Sequence, residues 1–360
     1  MLGFSVFLGE GLSAEKRCYI QRMKQMGFTR VFTSLHIPED DPQKVIETLQ
    51  QLKKLTQKLQ VDLMADVSST GLQRLAIDLN QPKACEQLKN LGITGVRMDY
   101  GMNNQTIAAV SRQMNVGLNA STLTKNDVAE LNAYQADFSQ MELWHNYYPR
   151  PETGLSKDYL QSINRTWKDL GFKVVAFVPG DENLRGPLYA GLPTLEKHRH
   201  CHPLAAAIDL LNNCSCDAVY IGDNGLSRKV QEQFSSYFED RNMLLEVKSL
   251  AGSYFSLALG KHTNRLDDAQ DVIRSQEARK NNCQTIEVEN NYSRERGAVT
   301  VDNKKYLRYM GEVQITKRDL PADNKVNVIA RVVKKDCELI EYIKPGHLFK
   351  LKERRDPNSE

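Results

Sequence analysis

The 360-residue chain has no run of about 18 to 20 apolar residues, the length that a membrane-crossing helix requires. Its opening residues, Met1-Leu2-Gly3-Phe4-Ser5, lack the positive charge that leads a secretory signal, so a cytoplasmic protein with no membrane contact is expected. Cysteine is sparse, with seven residues spread along the chain, an odd number that fits reduced, buried thiols better than a disulfide framework. Charge of one sign is also lacking, since a net +3 implies no nucleic-acid partner. The first apolar run ends in Gly9-Glu10-Gly11 without a third glycine, which speaks against a dinucleotide-binding turn and the cofactor that goes with it. Internal repeats and low-complexity tracts are missing too.

What is present is a repeating alternation. Eight short apolar runs, at residues 3–8, 30–34, 60–66, 95–99, 115–119, 140–145, 173–178 and 218–221, suit buried parallel strands. Between them lie polar segments with apolar residues three and four apart, such as Val45, Leu49, Leu52, Leu55 and Leu59, or Leu160, Ile163, Trp167 and Leu170. Eight strand–helix units in about 240 residues predict a (β/α)8 TIM barrel, an α/β fold. After residue 240 the pattern changes to β-rich runs at 243–247, 285–288, 298–301, 306–316, 326–333, 339–343 and 347–351, with a helix expected over 267–279. The expected organisation is a catalytic barrel over residues 1–240, followed by a small, mostly antiparallel β-barrel domain over 241–360. Charge divides at the same place, from −2 in the first part to +5 in the second.

A TIM barrel carries its chemistry where strands end and βα loops begin. Read in order, the strand ends supply Glu10, His36 and Glu39, Asp66, Asp99, Asn119, His145 and Asn146, Asp181 and Glu182, and Asp223 and Asn224. Helix capping accounts for some of these, because Asp and Asn favour the turn that starts a helix. Several carboxylates around one mouth suit glycoside cleavage, where one protonates the leaving oxygen and another acts as nucleophile or base. Arg97 and Asp99 stand two apart on one strand and can face the same way, as an active pair or as a barrel-filling ion pair. Glu142 comes early in its strand, where an inward side chain lies below the mouth.

Two loops stand out. Residues 143–155 read Leu-Trp-His-Asn-Tyr-Tyr-Pro-Arg-Pro-Glu-Thr-Gly-Leu, a stiff aromatic-proline segment whose Tyr147 can pack on a sugar face and whose Arg150 can grip phosphate or carboxylate. Residues 178–203 form a long excursion punctuated by glycine and proline, as ordered lids are, and contain Arg185. His198, His200, Cys201 and His202 invite a metal reading. That stretch abuts a helix starting near Pro203, however, and Cys214 and Cys216 lack the spacing of a zinc knuckle, so no metal is expected.

These loops carry a family likeness. The run 145–155 (His-Asn-Tyr-Tyr-Pro-Arg-Pro-Glu-Thr-Gly-Leu), the run 185–199 that begins Arg-Gly-Pro-Leu-Tyr and ends Glu-Lys-His-Arg, and the run 296–303 (Arg-Gly-Ala-Val-Thr-Val-Asp-Asn) resemble the MupG-type 6-phospho-N-acetylmuramidases. The resemblance spans nearly the whole chain. It implies a (β/α)8 barrel followed by a cyclophilin-like domain, and an exo-acting hydrolase that splits the β-1,4 bond between N-acetylmuramic acid 6-phosphate and N-acetylglucosamine inside the cell, after uptake and phosphorylation of a cell-wall fragment. No cofactor is implied. The partner is then a phosphorylated amino-sugar disaccharide whose phosphate and lactyl carboxylate ask for Arg97, Arg150, Arg185 and Arg296, with Asn119, His145, Asn146, Tyr147 and Asp223 as further contacts. The resemblance assigns no catalytic pair. The residues themselves favour Asp99 with Asp181 or Asp66, Glu142 standing in reserve, or an acetamido-assisted route oriented by Asp181-Glu182. Two other classes stay open: a lyase or aldolase, whose Schiff-base lysine would have to be Lys173 at the wrong end of its strand, and a non-catalytic sugar-binding protein.

Overall fold

The computed structural model describes residues 1–9, 11–35, 42–282 and 284–354, without the side chains of Pro42, Asp99 and Tyr100. The chain divides into two compact units, Met1–Gln231 and Glu232–Glu360. In the first unit eight strands, β1 (Leu2–Ser5), β2 (Arg30–Ser34), β3 (Asp62–Ser68), β4 (Gly95–Tyr100), β5 (Asn115–Asn119), β6 (Met141–Trp144), β7 (Lys173–Val178) and β8 (Ala218–Ile221), close into a barrel in sequence order. All eight pairings are parallel, and β1 pairs with both β2 and β8. The connecting helices are α1 (Ala14–Gln25), α2 (Pro42–Leu59), α3 (Ser69–Arg74), α4 (Ala84–Asn90), α5 (Asn104–Ser111), α6 (Lys125–Ala133), α7 (Lys157–Asp169), α8 (Pro203–Asn213) and α9 (Arg228–Phe238). Their starts are chemically marked: Ser13, Asn103 and Ser156 accept from backbone N–H groups of the first turn, and Thr124 with Asp127 forms a reciprocal capping box. The buried face of α7 is Leu160, Asn164 and Trp167, at helical spacing.

Strand alternation sorts the barrel interior into layers. At the floor Arg30 Nη1 donates to both carboxylate oxygens of Glu142 at 2.8 Å. Above it Phe32, Met64, Trp144, Val175, Phe177, Ala218 and Tyr220 form one cluster, with the Trp144 and Tyr220 rings 4.5 Å apart. Room for these rings comes from the facing strands, because a Cβ on Gly3 would overlap the Tyr220 ring and one on Gly117 would meet Trp144 at 2.9 Å. The interior is therefore a packed plug, and polar residues return above it, at the strand ends.

The second unit holds a seven-stranded mixed sheet in the order β10-β15-β9-β14-β12-β13-β11, made of β9 (Asn242–Ser249), β10 (Gly260–Thr263), β11 (Val272–Arg274), β12 (Ala298–Asp302), β13 (Val313–Thr316), β14 (Val326–Val332) and β15 (Leu348–Glu353). Its pairings are antiparallel except β9 with β15. The two outer strands meet through an isolated bridge, Asn264 to Ser275, flanked by Arg265 N–H to Arg274 O at 3.0 Å and Gln276 N–H to Thr263 O at 2.9 Å. Several expectations here are corrected. The helix expected over 267–279 is β11 followed by α10 (Ala278–Asn281), the run at 306–316 begins in a 3-10 turn (Lys304–Tyr309) and ends as β13, and the run at 339–343 falls largely in the 3-10 turn Lys334–Tyr342. Residues 285–288 form no strand. Alternating apolar residues fit a half-buried 3-10 turn as well as a short strand, which is why the pattern misleads at these points.

Candidate active site

At the ends of β3, β4 and just past β6, three inward side chains join in a chain. Arg97 Nη1 donates to Asp66 Oδ1 at 2.8 Å and Nη2 donates to Asn146 Oδ1. Asp66 and Arg97 are 6% and 4% exposed, so each charge is buried against the other rather than alone. Asp99 is the penultimate residue of the same strand as Arg97. The β3–β4 ladder passes from Val67–Met98 to Ser68–Tyr100 and so skips Asp99, a bulge of the kind found at barrel rims and beside active sites. The Asp99 side chain lies outside the described set, as do residues Glu10, His36 and Glu39.

The loops after β6 and β7 are stapled together over this layer. Arg199, nearly buried, donates Nε and Nη2 to the two oxygens of Glu196 at 2.6 Å each, and its remaining donors reach the carbonyls of Arg150 and Gly191. The Glu196 oxygens also accept the backbone N–H groups of Glu152 at 2.9 Å and Gly154 at 2.7 Å. The Arg199 hydrogen bonds hold the Glu196 carboxyl down at about 2. A Cβ on Gly154 would lie 2.6 Å from Glu196 Oε2, so this closeness requires glycine. On the other side Asp223, fully buried, accepts the N–H groups of Gly180, Arg185 and Leu192 at 2.9 to 3.0 Å and shapes the β7 loop from the end of β8. Arg185 reaches back over the mouth, its guanidinium 3.8 Å from the Phe7 ring centroid and its Nη1 2.8 Å from the Tyr147 hydroxyl. Tyr147 packs edge-on to Phe177 at 5.1 Å, and burial pushes its phenol above the usual value, which keeps the O–H protonated.

The family model of the 6-phospho-N-acetylmuramidase N-terminal domain matches residues 2–236, and that of the 6-phospho-N-acetylmuramidase C-terminal domain matches residues 244–352. The chain belongs to the 6-phospho-N-acetylmuramidase family. Among solved structures, a conserved Enterococcus faecalis protein of unknown function is 46% identical with a TM-score of 0.90, over 98% of this chain and 96% of that one. An uncharacterised B. cereus protein shares the fold at 24% identity and a TM-score of 0.73, over 98% and 99%. No protein of curated function matches the chain.

In this family member the carboxylates and donors expected at the mouth separate into two groups. Asp66, Arg97, Asn146, Tyr147 and Arg185 converge on the strand ends, with Asp223 beneath the β7 loop as its organiser. Six have other settings. Glu142 is at the floor, held by Arg30 and by Trp144 Nε1 at 3.3 Å, because its even-numbered position points inward but one layer too low. Asp181 has Oδ1 on the Ser227 N–H at 2.8 Å and Oδ2 on the Ser227 hydroxyl at 2.7 Å, so it anchors the start of α9. His145 has the opposite parity to Trp144 and Asn146 and turns outward to α7, where Nε2 meets Asn164 Oδ1 at 2.7 Å. Asn164 donates its own N–H to Cys214 O, so its Oδ1 must accept and the His145 proton sits on Nε2. Burial, with Arg97 nearby, drops the imidazole to about 4. Asn119 ends β5 and caps the turn that follows, accepting from Ser121 N–H at 2.9 Å. Arg150 is exposed, and its guanidinium makes no bond among the described residues. Arg296, in the second unit, pairs with Glu341 at 2.7 Å.

The histidine cluster is dispersed among structural tasks: His198 bonds Asp209 at 2.9 Å, and His202 Nδ1 accepts from Leu204 N–H to cap α8. No group of three or more metal-ligating side chains is found among the described residues. Lys173 is exposed at the start of β7, away from the mouth. The Glu196–Arg199 staple and Phe7 went unrecognised in the sequence. The staple's signal was the i, i+3 acid–base spacing inside residues 185–199, whereas a single aromatic after β1 gives none.

Proposed function

We propose that this protein hydrolyses the β-1,4 bond between N-acetylmuramic acid 6-phosphate and N-acetylglucosamine, acting in the cytoplasm on cell-wall fragments that have been imported and phosphorylated. The observation that carries the reading is the buried Asp66–Arg97–Asn146 chain at the strand ends of a barrel whose family models cover it almost end to end. Asp66 and Asp99 are the proposed carboxyl pair, on the adjacent strands β3 and β4. Asp66, ion-paired with Arg97, takes the anionic role as nucleophile or base, and Asp99 the role of acid. The acid gives its proton to O4 of the departing N-acetylglucosamine, the C1–O bond breaks, water supplies the hydroxyl that ends on C1, and the water's proton goes to Asp66 where it acts as base, or back to Asp99 where Asp66 acts as nucleophile. Asp181, bonded through both oxygens to Ser227, is assigned to holding the start of α9 rather than to orienting the acetamido group.

Incubating the purified chain with the 6-phosphorylated and the unphosphorylated disaccharide, and following release of N-acetylglucosamine, tests the reading. Release from the phosphorylated form is expected. No release from it refutes the assignment.

A further inference from the structure

We propose that Arg185 and Tyr147 together form the subsite that reads the phosphate group of the substrate. Arg185 differs in one respect from the other inward guanidiniums around the mouth. Arg97 faces Asp66 and Arg199 faces Glu196, each as an ion pair, whereas no carboxylate stands within ion-pair distance of Arg185 among the described residues. A half-buried cation left uncompensated in this way is a site for an external anion.

Its geometry is already set. The guanidinium lies over Phe7 at 3.8 Å, one of its nitrogens is tied to the Tyr147 oxygen at 2.8 Å, and its backbone N–H is held by Asp223 at 3.0 Å. Little rotamer freedom is left to lose on binding. Tyr147 completes the subsite: its oxygen accepts from Arg185, so its own hydrogen is left to donate, and that hydrogen has no acceptor among the described residues. The subsite therefore offers guanidinium N–H groups and one O–H that is bonded to no acceptor among the described residues. A sugar hydroxyl needs an acceptor as well as a donor, whereas a phosphate monoester presents only acceptor oxygens, three of them, to a planar fork plus a third donor. The loop that carries Arg185 follows β7 and is shaped from the end of β8, the region where barrels of this class commonly hold phosphate. Naming the phosphate as that of the muramic acid sugar rests on the proposed function; the anion subsite itself does not.

The test has two arms. In the first, inorganic phosphate is titrated calorimetrically into the wild type, Arg185→Met, Arg185→Lys and Tyr147→Phe, with circular dichroism as the folding control. A charge-assisted hydrogen bond is worth roughly 1.5 to 3 kcal/mol, so Arg185→Met should weaken phosphate binding about 10- to 150-fold, with Arg185→Lys and Tyr147→Phe weakening it less. In the second, the kcat/KM ratio of phosphorylated to unphosphorylated disaccharide should fall by a similar factor in Arg185→Met, expressed in KM. Unphosphorylated substrate keeps its lactyl carboxylate, so an equal loss on both substrates overturns the phosphate assignment. Phosphate affinity unchanged in Arg185→Met overturns the subsite even in an enzyme active on the phosphorylated sugar. Phosphate binding through Arg185 without hydrolysis upholds the subsite and removes the glycosidase reading instead. If Arg185→Met does not fold, Arg185→Lys and Tyr147→Phe carry the same comparison.

Discussion

Replacing Glu196 by Gln should loosen two loops at once. Each Glu196 oxygen accepts twice: Oε1 from Glu152 N–H and Arg199 Nε, Oε2 from Gly154 N–H and Arg199 Nη2. Glutamine keeps the shape but turns one oxygen into an NH2 group, which then faces two donors, and it leaves the nearly buried Arg199 without its counter-charge. Breaking a buried ion pair on one side costs about 3 to 5 kcal/mol. The Glu196 side chain is 31% exposed, so solvent screens part of this, and about 2 to 3 kcal/mol is expected. For a barrel of this size that lowers the Tm by about 5 to 10 °C at pH 7.

The pH dependence gives this effect its signature. The carboxyl titrates near 2 in the folded protein against a reference of 4.5, so its contribution is complete above pH 4.5 and is lost as pH falls from there towards 2. The gap in Tm between wild type and Glu196→Gln, followed by circular dichroism from pH 7 to 3, should narrow below pH 4.5. A gap under about 1 °C at pH 7, or one that stays constant down to pH 3, refutes the staple as drawn.

Other outcomes follow from the same geometry. Asp66→Asn and Asp99→Asn should each lower kcat on the phosphorylated disaccharide by about 10²- to 10⁴-fold, while Asp181→Asn should cost about 1 kcal/mol of stability by chemical denaturation and leave kcat within about threefold. A hundredfold loss of kcat in Asp181→Asn would show that the carboxylates have been sorted wrongly. His145 titrates at about 4 when folded and 6.5 when not, so neutral imidazole is favoured in the fold and stability declines as pH drops from 6.5 towards 4, by about 3 kcal/mol in all at about 1.4 kcal/mol per tenfold in proton concentration. Urea unfolding of wild type and His145→Gln at pH 7.5 and 5 should show a shallower pH slope in the variant. Gly154→Ala forces a Cβ against Glu196 and should cost about 1 to 3 kcal/mol, read as a lowered urea midpoint.

The barrel was legible in the sequence because strands buried on both faces leave continuous apolar runs, and runs such as 30–34, 115–119, 173–178 and 218–221 coincide with β2, β5, β7 and β8. The second unit was less so, since short half-buried strands and 3-10 turns share one alternation; Val272–Arg274 and Lys334–Tyr342 were exchanged for a helix and a strand on that account. At the site the residue types were visible but not their partners. Asp181 and Ser227, or Arg185 and Tyr147, lie about 40 residues apart or more and meet only when the barrel closes. Pleat parity was available in principle: Glu142, Trp144 and Asn146 share a face that His145 does not, and following it would have set the histidine outside the mouth.

Counting who occupies each oxygen does what counting carboxylates does not. Asp223 accepts from three backbone N–H groups, Asp181 from Ser227, and Glu142 from Arg30 and Trp144, so each of these holds the scaffold together. Asp66 is different in kind, because its partner Arg97 continues to Asn146 in the next loop and so ties three strand ends to one charge. The same test separates the arginines: those with a carboxylate stabilise the loops, and Arg185, held by an aromatic face and a hydroxyl, keeps its charge for a ligand. A mouth built in this way combines a supported carboxylate with an unsatisfied cation, which is the pairing that a phosphorylated glycoside requires.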